Sequence, residues 1–185
     1  MAHSGVSCLI HNIDKKCIIL VKQFRPVIFV NKTLEAHTEN ISGVHHDLEN
    51  LNWSKVNPKE GFTYELCAGI CDKAKSLHET IKEEILEECG YSVEIENIHK
   101  LTQARSAGLF GAIHTIFFAE VTNEGKISEG GGNPDEGEFI ELFELPVDEI
   151  RSFVDDLSYE KPLGVMYALK WFLYEREEFL SKLKK

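Results

Sequence analysis

Glu84, Glu87 and Glu88 are the residues whose type and spacing could do chemistry, and the pattern around them predicts a helix over residues 77–89. At about 100° per residue, Glu87 lies about 60° to one side of Glu84 and Glu88 about 40° to the other, so the three carboxylates share one arc. Ile81 and Ile85 fall on the flank of that arc, which sets the carboxylates beside the apolar stripe and not opposite it. Like charges at i, i+3 and i+4 repel. Lys82 is on a different side and cannot neutralise all three. An acidic face turned to water tolerates this arrangement; a partly buried one requires a cation. Hard oxygen ligands with bound water suit Mg²⁺, or Mn²⁺ in its place.

The elements that must hold this helix are legible around it. Ser76 and Glu79 form an S-x-x-E capping box at its start, and Gly90 stands just past its end, where a left-handed residue is wanted. Residues 5–10 and 17–21 read as strands joined by the turn residues Asn12, Asp14 and Lys15. Further strands are predicted at 62–67, within 92–104 (one or two), at 113–121 and at 139–145. A short helix is predicted at 147–155 and a long one at 162–183, carrying Trp171, Phe172 and Leu173. The segment Gln23–Arg25–Pro26 leaves the second strand. Residues 31–61 are polar, lack sustained periodicity and read as a long insertion; residues 123–138, rich in Gly, Glu, Asn and Pro, read as a second, mobile loop. The expected fold class is α/β (mixed α+β): a mixed sheet between helices, forming one domain over residues 1–185.

A chain of 185 residues suits one substantial core. Its net charge of −11 argues against general binding to nucleic acid or an anionic membrane. No apolar run approaches the roughly 20 residues of a membrane span. The N-terminus carries no basic segment followed by an apolar stretch, so a cytoplasmic protein is expected. Cys8, Cys17, Cys67, Cys71 and Cys89 show no CxxC spacing and read as reduced thiols.

Gly69, Glu84, Ile85, Glu87, Glu88, Gly90 and Tyr91 together resemble the Nudix box, including the required spacing from Gly69 to Gly90. Two positions depart from it together. The family usually has Glu where this chain has Lys75, and Arg where it has Glu83, so the expectation is an opposite-charge contact kept with reversed polarity. In the family that Arg helps orient a metal-binding carboxylate, so the resemblance implies reduced turnover here. The segments Val21 to Pro26, Glu65 to Gly69, Glu87 to Tyr91, 130–132, Glu136 to Glu141 and Lys161 to Val165 extend the resemblance over nearly the whole chain, toward the animal UDP-glucose pyrophosphatase branch. ADP-ribose pyrophosphatases are the near alternative. They typically carry a proline sixteen positions after the box, where this chain has Ala107.

The resemblance implies roles. Glu84 and Glu88 are the primary Mg²⁺ ligands, with Glu87 assisting and the Ala68 carbonyl completing the shell. Glu136 or Glu138 is the general base, brought in by the glycine-bearing loop. Arg25 holds a phosphate, since a guanidinium matches that geometry, and Glu65 contacts the sugar or the metal shell. Ser106 and Gly108 belong to the segment that reads substrate; Arg105 and His114 lie near it without an assigned role. His45 and His46 read as surface residues. The implied reaction is UDP-glucose and water to UMP and glucose 1-phosphate, with a small-molecule nucleotide sugar as partner and neither nucleic acid nor membrane. The alternatives are ADP-ribose hydrolysis, or a catalytically weakened binding domain. The resemblance also implies a homodimer built with extra N-terminal β-structure. Here the first core strand begins almost at Met1, which leaves the dimer an open expectation.

Overall fold

The computed structural model describes residues 4–37, 51–71, 74–105 and 111–183. At its centre is β1 (Ser4–Asn12), whose alternation sends Val6, Cys8 and Ile10 to one face and Leu9 to the other, all fully buried. A strand buried on both faces needs neighbours on both edges. On one edge β1 runs parallel to β6 (Ile113–Val121), from Gly5 opposite His114 to Asn12 opposite Val121. The far edge of β6 carries antiparallel β5 (Ile98–Arg105), with a register shift between Lys100 and Thr102.

The other edge of β1 positions the site. β1 and β2 (Cys17–Phe24) pair only where Ile10–Asn12 meet Cys17–Ile19, and then diverge. Residues 62–71 fill the gap between them. β3 (Phe62–Glu65) pairs with β2, and after Leu66 β4 (Cys67–Cys71) pairs with β1. β7 (Ile140–Pro146) closes the far edge of β2. The result is a seven-stranded mixed sheet in which β1–β6 is the parallel pair.

Helices cover both faces. α2 (Leu77–Cys89) packs Ile81, Ile85 and Cys89 against Val6, Cys8 and Phe117. α3 (Ile150–Asp155) and α4 (Leu163–Leu183) pack Ile150, Phe153, Leu169 and Phe172 against Leu9, Ile18, Leu20 and Phe118. Phe117 and Phe118 thus anchor opposite layers, each fully buried and each contributing about 1.5–3 kcal/mol of apolar burial. None of the five cysteines is in a disulfide, and four of them are buried. Among the described residues, no helix is long and apolar enough to cross a membrane.

One expectation is corrected. The segment read as an insertion without structure begins inside a helix, α1 (Pro26–His37). Proline at the first helical position presets φ and lacks only an N–H that would have no partner there anyway. Its Phe29 ring lies 5.8 Å from Phe24 and stacks 6.1 Å from Trp53, and Thr33 on the same face is fully buried. Residues 51–61 hold two short helical turns, capped by the Asn52 and Asn57 side chains. Residues 38–50, His45 and His46 among them, lie outside the described residues. Between β6 and β7 the chain follows the expected irregular course, with a hydrogen-bonded turn at residues 122–126 and a short helical turn at Pro134–Glu136.

Candidate active site

α2 is fixed at both ends. The Ser76 hydroxyl accepts the Glu79 N–H at 3.2 Å, and the Glu79 carboxylate accepts the Ser76 N–H at 2.8 Å. Gly90 takes φ 77° and donates its N–H to the Leu86 carbonyl at 3.0 Å. Locked this way, the helix aims Glu88 at β4, where its carboxylate accepts the Ala68 N–H at 2.9 Å. Glu88 is only 2% exposed. Burial pushes its carboxyl up to about 8; the Ala68 N–H and the Cys67 thiol oppose that rise, and the charges of Glu84 and Glu138 add to it. One turn earlier, Glu84 lies across Gly69 so closely that a Cβ there would stand 2.1 Å from Glu84 Oε1. The box glycine is therefore required for space.

The loop after β6 is stitched onto the last turn of α2. Gly131 N–H donates to the Glu88 carbonyl at 2.9 Å and Gly132 N–H to the Glu87 carbonyl at 3.2 Å. Gly130, at φ 71°, comes so near that a Cβ would lie 2.3 Å from the Glu88 carbonyl oxygen. This docking carries Glu138 into the cleft, where its carboxylate accepts the Asn133 N–H at 3.1 Å. The backbone of Glu136 lies in the preceding turn, and its side chain is outside the described part.

The facing wall comes from the end of β2 and from β3. Arg25 donates Nε and Nη2 to the two Glu65 oxygens at 2.7 and 2.8 Å, a bidentate pair. Thr63, two residues back on the same face of β3, donates its hydroxyl to Glu65 at 2.5 Å. Burial would raise the Glu65 carboxyl, but Arg25 and Thr63 together hold it below its ordinary value. Arg25 in turn is raised, chiefly by its bond to Glu65.

The cleft between these walls has a volume of about 480 Å³ and brings together Arg25, Glu65, Ala68, Glu84, Glu87, Glu88 and Glu138. Ser106 and Gly108 lie outside the described residues. Of the larger concavities, those of about 600 and 700 Å³ share none of these side chains, and a shallow one of about 550 Å³ adjoins the cleft through Glu87. Lining residues with no role assigned from the sequence are Gly5, Gln23, Ile70 and His114. The His114 ring packs over Gly5, its Nε2 lies 2.9 Å from the Ser7 hydroxyl, and burial lowers its pKa. Only the tertiary pairing of β1 with β6 puts it there. Arg105 turns to the Gly111 carbonyl instead. The reversed charge pair is formed: Lys75 Nζ lies 2.6 Å from both Glu83 oxygens.

Among the described residues, no three His, Cys, Asp or Glu side chains converge as a complete ligand set. The donors still fit a hard divalent ion. Glu88 is a buried carboxyl that must keep a proton or meet a cation, and Glu84 and Glu87 stand in the same cleft.

No family model matches the chain, but curated relatives do. A uridine diphosphate glucose pyrophosphatase of Bos taurus is 37% identical over 172 residues, 92% of this chain and 78% of the relative. That of Mus musculus is 34% identical over 181 residues, 97% and 82% of the two chains. A GDP-mannose pyrophosphatase of Cronobacter sakazakii is 31% identical over 147 residues, 79% and 61%. A solved structure of an ADP compounds hydrolase superposes with a TM-score of 0.61 at 15% identity, over 93% of this chain and 74% of the other, a likeness of fold. With the box glycine, the carboxylate helix and the mixed sheet all in place, the chain is a member of the Nudix hydrolase superfamily, an enzyme of its pyrophosphatase group.

Proposed function

We propose that this chain hydrolyses the diphosphate of a nucleoside diphosphate sugar, UDP-glucose before others, giving UMP and glucose 1-phosphate. The observation that carries the reading is the Glu88 carboxyl, 2% exposed, with Glu84 and Glu138 beside it in a cleft sized for a small molecule. Such a cluster is costly without a cation, and a diphosphate needs one. The uridine preference rests on the higher identity to the uridine diphosphate glucose enzymes than to the GDP-mannose enzyme.

Glu84, Glu87, Glu88 and the Ala68 carbonyl would hold Mg²⁺, or Mn²⁺, whose charge offsets that of the diphosphate and polarises the attacked phosphorus. The strand supports the Ala68 assignment. The N–H and C=O of one strand residue point to the same edge, so the carbonyl emerges where the N–H already meets Glu88. Arg25 keeps Nη1 without a protein partner among the described residues and offers it to a phosphate oxygen. Glu65 aims Arg25 and sits where the sugar enters. Glu138 takes the proton of the attacking water, and the docked loop sets its approach. Ser106 and Gly108 serve the substrate-reading segment, and Glu136 is the alternative base.

The test offers UDP-glucose, GDP-mannose and ADP-ribose separately to the purified chain with Mg²⁺, with products resolved by ³¹P NMR. The expected result is UMP and glucose 1-phosphate at the highest kcat/KM of the three. A higher value for ADP-ribose would reassign the substrate, and no product from any of them would leave a binding domain.

A further inference from the structure

The box position that carries an acid in this chain creates a problem which a second residue solves. Glu83 lines the same cleft as Glu84, Glu87 and Glu88. It is half exposed, at 50%, and so has room to move. It is also four residues from Glu87, the spacing at which helical side chains meet. A fourth carboxylate reaching this cluster would bind a cation too tightly and off centre, and would repel an incoming diphosphate. In the structure it is turned aside: Lys75 Nζ holds both Glu83 oxygens at 2.6 Å. Lys75 immediately precedes the Ser76 cap, so its backbone is anchored by the capping box and its side chain folds back along the helix.

We infer that Lys75 is a positioning residue that keeps the Glu83 carboxylate out of the metal cluster. This rests on the proposed function for its effect on turnover, but not for its effect on metal binding. An ordinary stabilising pair would act otherwise. Exposed pairs add little to global stability, and losing a support for the ligands would weaken the metal. Release of Glu83 strengthens it.

The experiment measures Mn²⁺ affinity by EPR, kcat and KM for UDP-glucose, and Tm in wild type, Lys75→Ala, Lys75→Arg and Lys75→Ala with Glu83→Gln. For Lys75→Ala the expected result is Mn²⁺ bound about threefold to tenfold more tightly, the gain one added carboxylate gives a site open to water, with a raised KM, a lowered kcat and a Tm close to wild type. Lys75→Arg keeps the pair and stays near wild type on all readouts. In the double variant Gln cannot bring in a charge, so both affinity and turnover return toward wild type. Unchanged or weakened Mn²⁺ affinity in Lys75→Ala, or no return in the double variant, overturns the inference. If the wild type turns over no nucleotide sugar, the proposed function fails, and the affinity series still decides the role of Lys75.

Discussion

Replacing Gly69 by alanine asks whether the Glu84 carboxylate works where the structure puts it. The added methyl would stand 2.1 Å from Oε1, 2.4 Å from Cδ and 2.5 Å from Cγ of Glu84. Ordinary contact begins near 3.4 Å, so the carboxylate must retreat by about 1.3 Å at its closest atom. That retreat costs the fold little, because the obstacle is the end of a flexible side chain at the cleft and not backbone. It costs the chemistry more. A misplacement of about 1 Å in a positioned group lowers turnover by about a hundredfold, or ~2.7 kcal/mol in the barrier. The expected outcome for Gly69→Ala is kcat/KM for UDP-glucose down about a hundredfold and Mn²⁺ affinity reduced, with a Tm within a few degrees of wild type. Steady-state kinetics, EPR and calorimetry read the three quantities. Wild-type turnover in a folded Gly69→Ala protein would refute the reasoning, because Glu84 would then have no part in the reaction at that position.

Further outcomes follow from the same cleft. Glu138→Gln removes the acceptor for the water proton, and kcat is expected to fall by about 10²–10⁴-fold; Glu136→Gln, losing less than tenfold in the same assay, separates the two loop glutamates. Arg25→Lys cannot reproduce the bidentate contact with Glu65, and KM is expected to rise about tenfold with kcat less affected. For the metal-free protein the sign of the pH dependence follows from Glu88. Its carboxyl is raised from 4.5 to about 8, first of all by burial. The folded form therefore keeps a proton that the unfolded form loses. That stabilisation is complete below about pH 4.5, declines as pH rises, and is gone above about pH 8. In EDTA the Tm of wild type is expected to fall between pH 6 and pH 8.5 relative to that of Glu88→Gln. Mg²⁺ must displace the same proton, so its affinity, read by calorimetry, should drop by up to tenfold per pH unit below pH 8.

The carboxylate helix was legible to the residue, because local chemistry determines its ends: the capping box at Ser76 and the left-handed glycine at Gly90 bound α2 at the predicted 77–89. β6 likewise spans the predicted 113–121, where Ile113, Thr115, Ile116, Phe117, Phe118 and Val121 are strand formers. The α1 helix is hard to read because two of its packing partners, Phe24 and Trp53, lie outside it, and its polar residues from Asn31 onward merge with the polar segment that follows. The wedge of β3 and β4 between β1 and β2 was hidden for a related reason. The composition marks one strand at 62–67, and both the change of partner at Leu66 and the run of β4 on to Cys71 are properties of the sheet. In the site, the residues on α2 were found from spacing on one helix. The Arg25–Glu65 pair was assigned as two separate roles because forty residues separate its members, and His114 had no signal until β6 was paired with β1.

The central claim, that Glu84 and Glu88 hold a divalent cation which this chain uses to cleave a nucleotide sugar, is tested most directly by one comparison. ³¹P NMR follows UDP-glucose with wild type and Glu88→Gln, each with Mg²⁺ and each with EDTA. Glutamine keeps an acceptor for the Ala68 N–H, so the fold is expected to survive the change. The expected result is UMP and glucose 1-phosphate from wild type with Mg²⁺ alone, and no product under the other three conditions. Cleavage by folded Glu88→Gln at the wild-type rate, or by wild type in EDTA, would contradict the account.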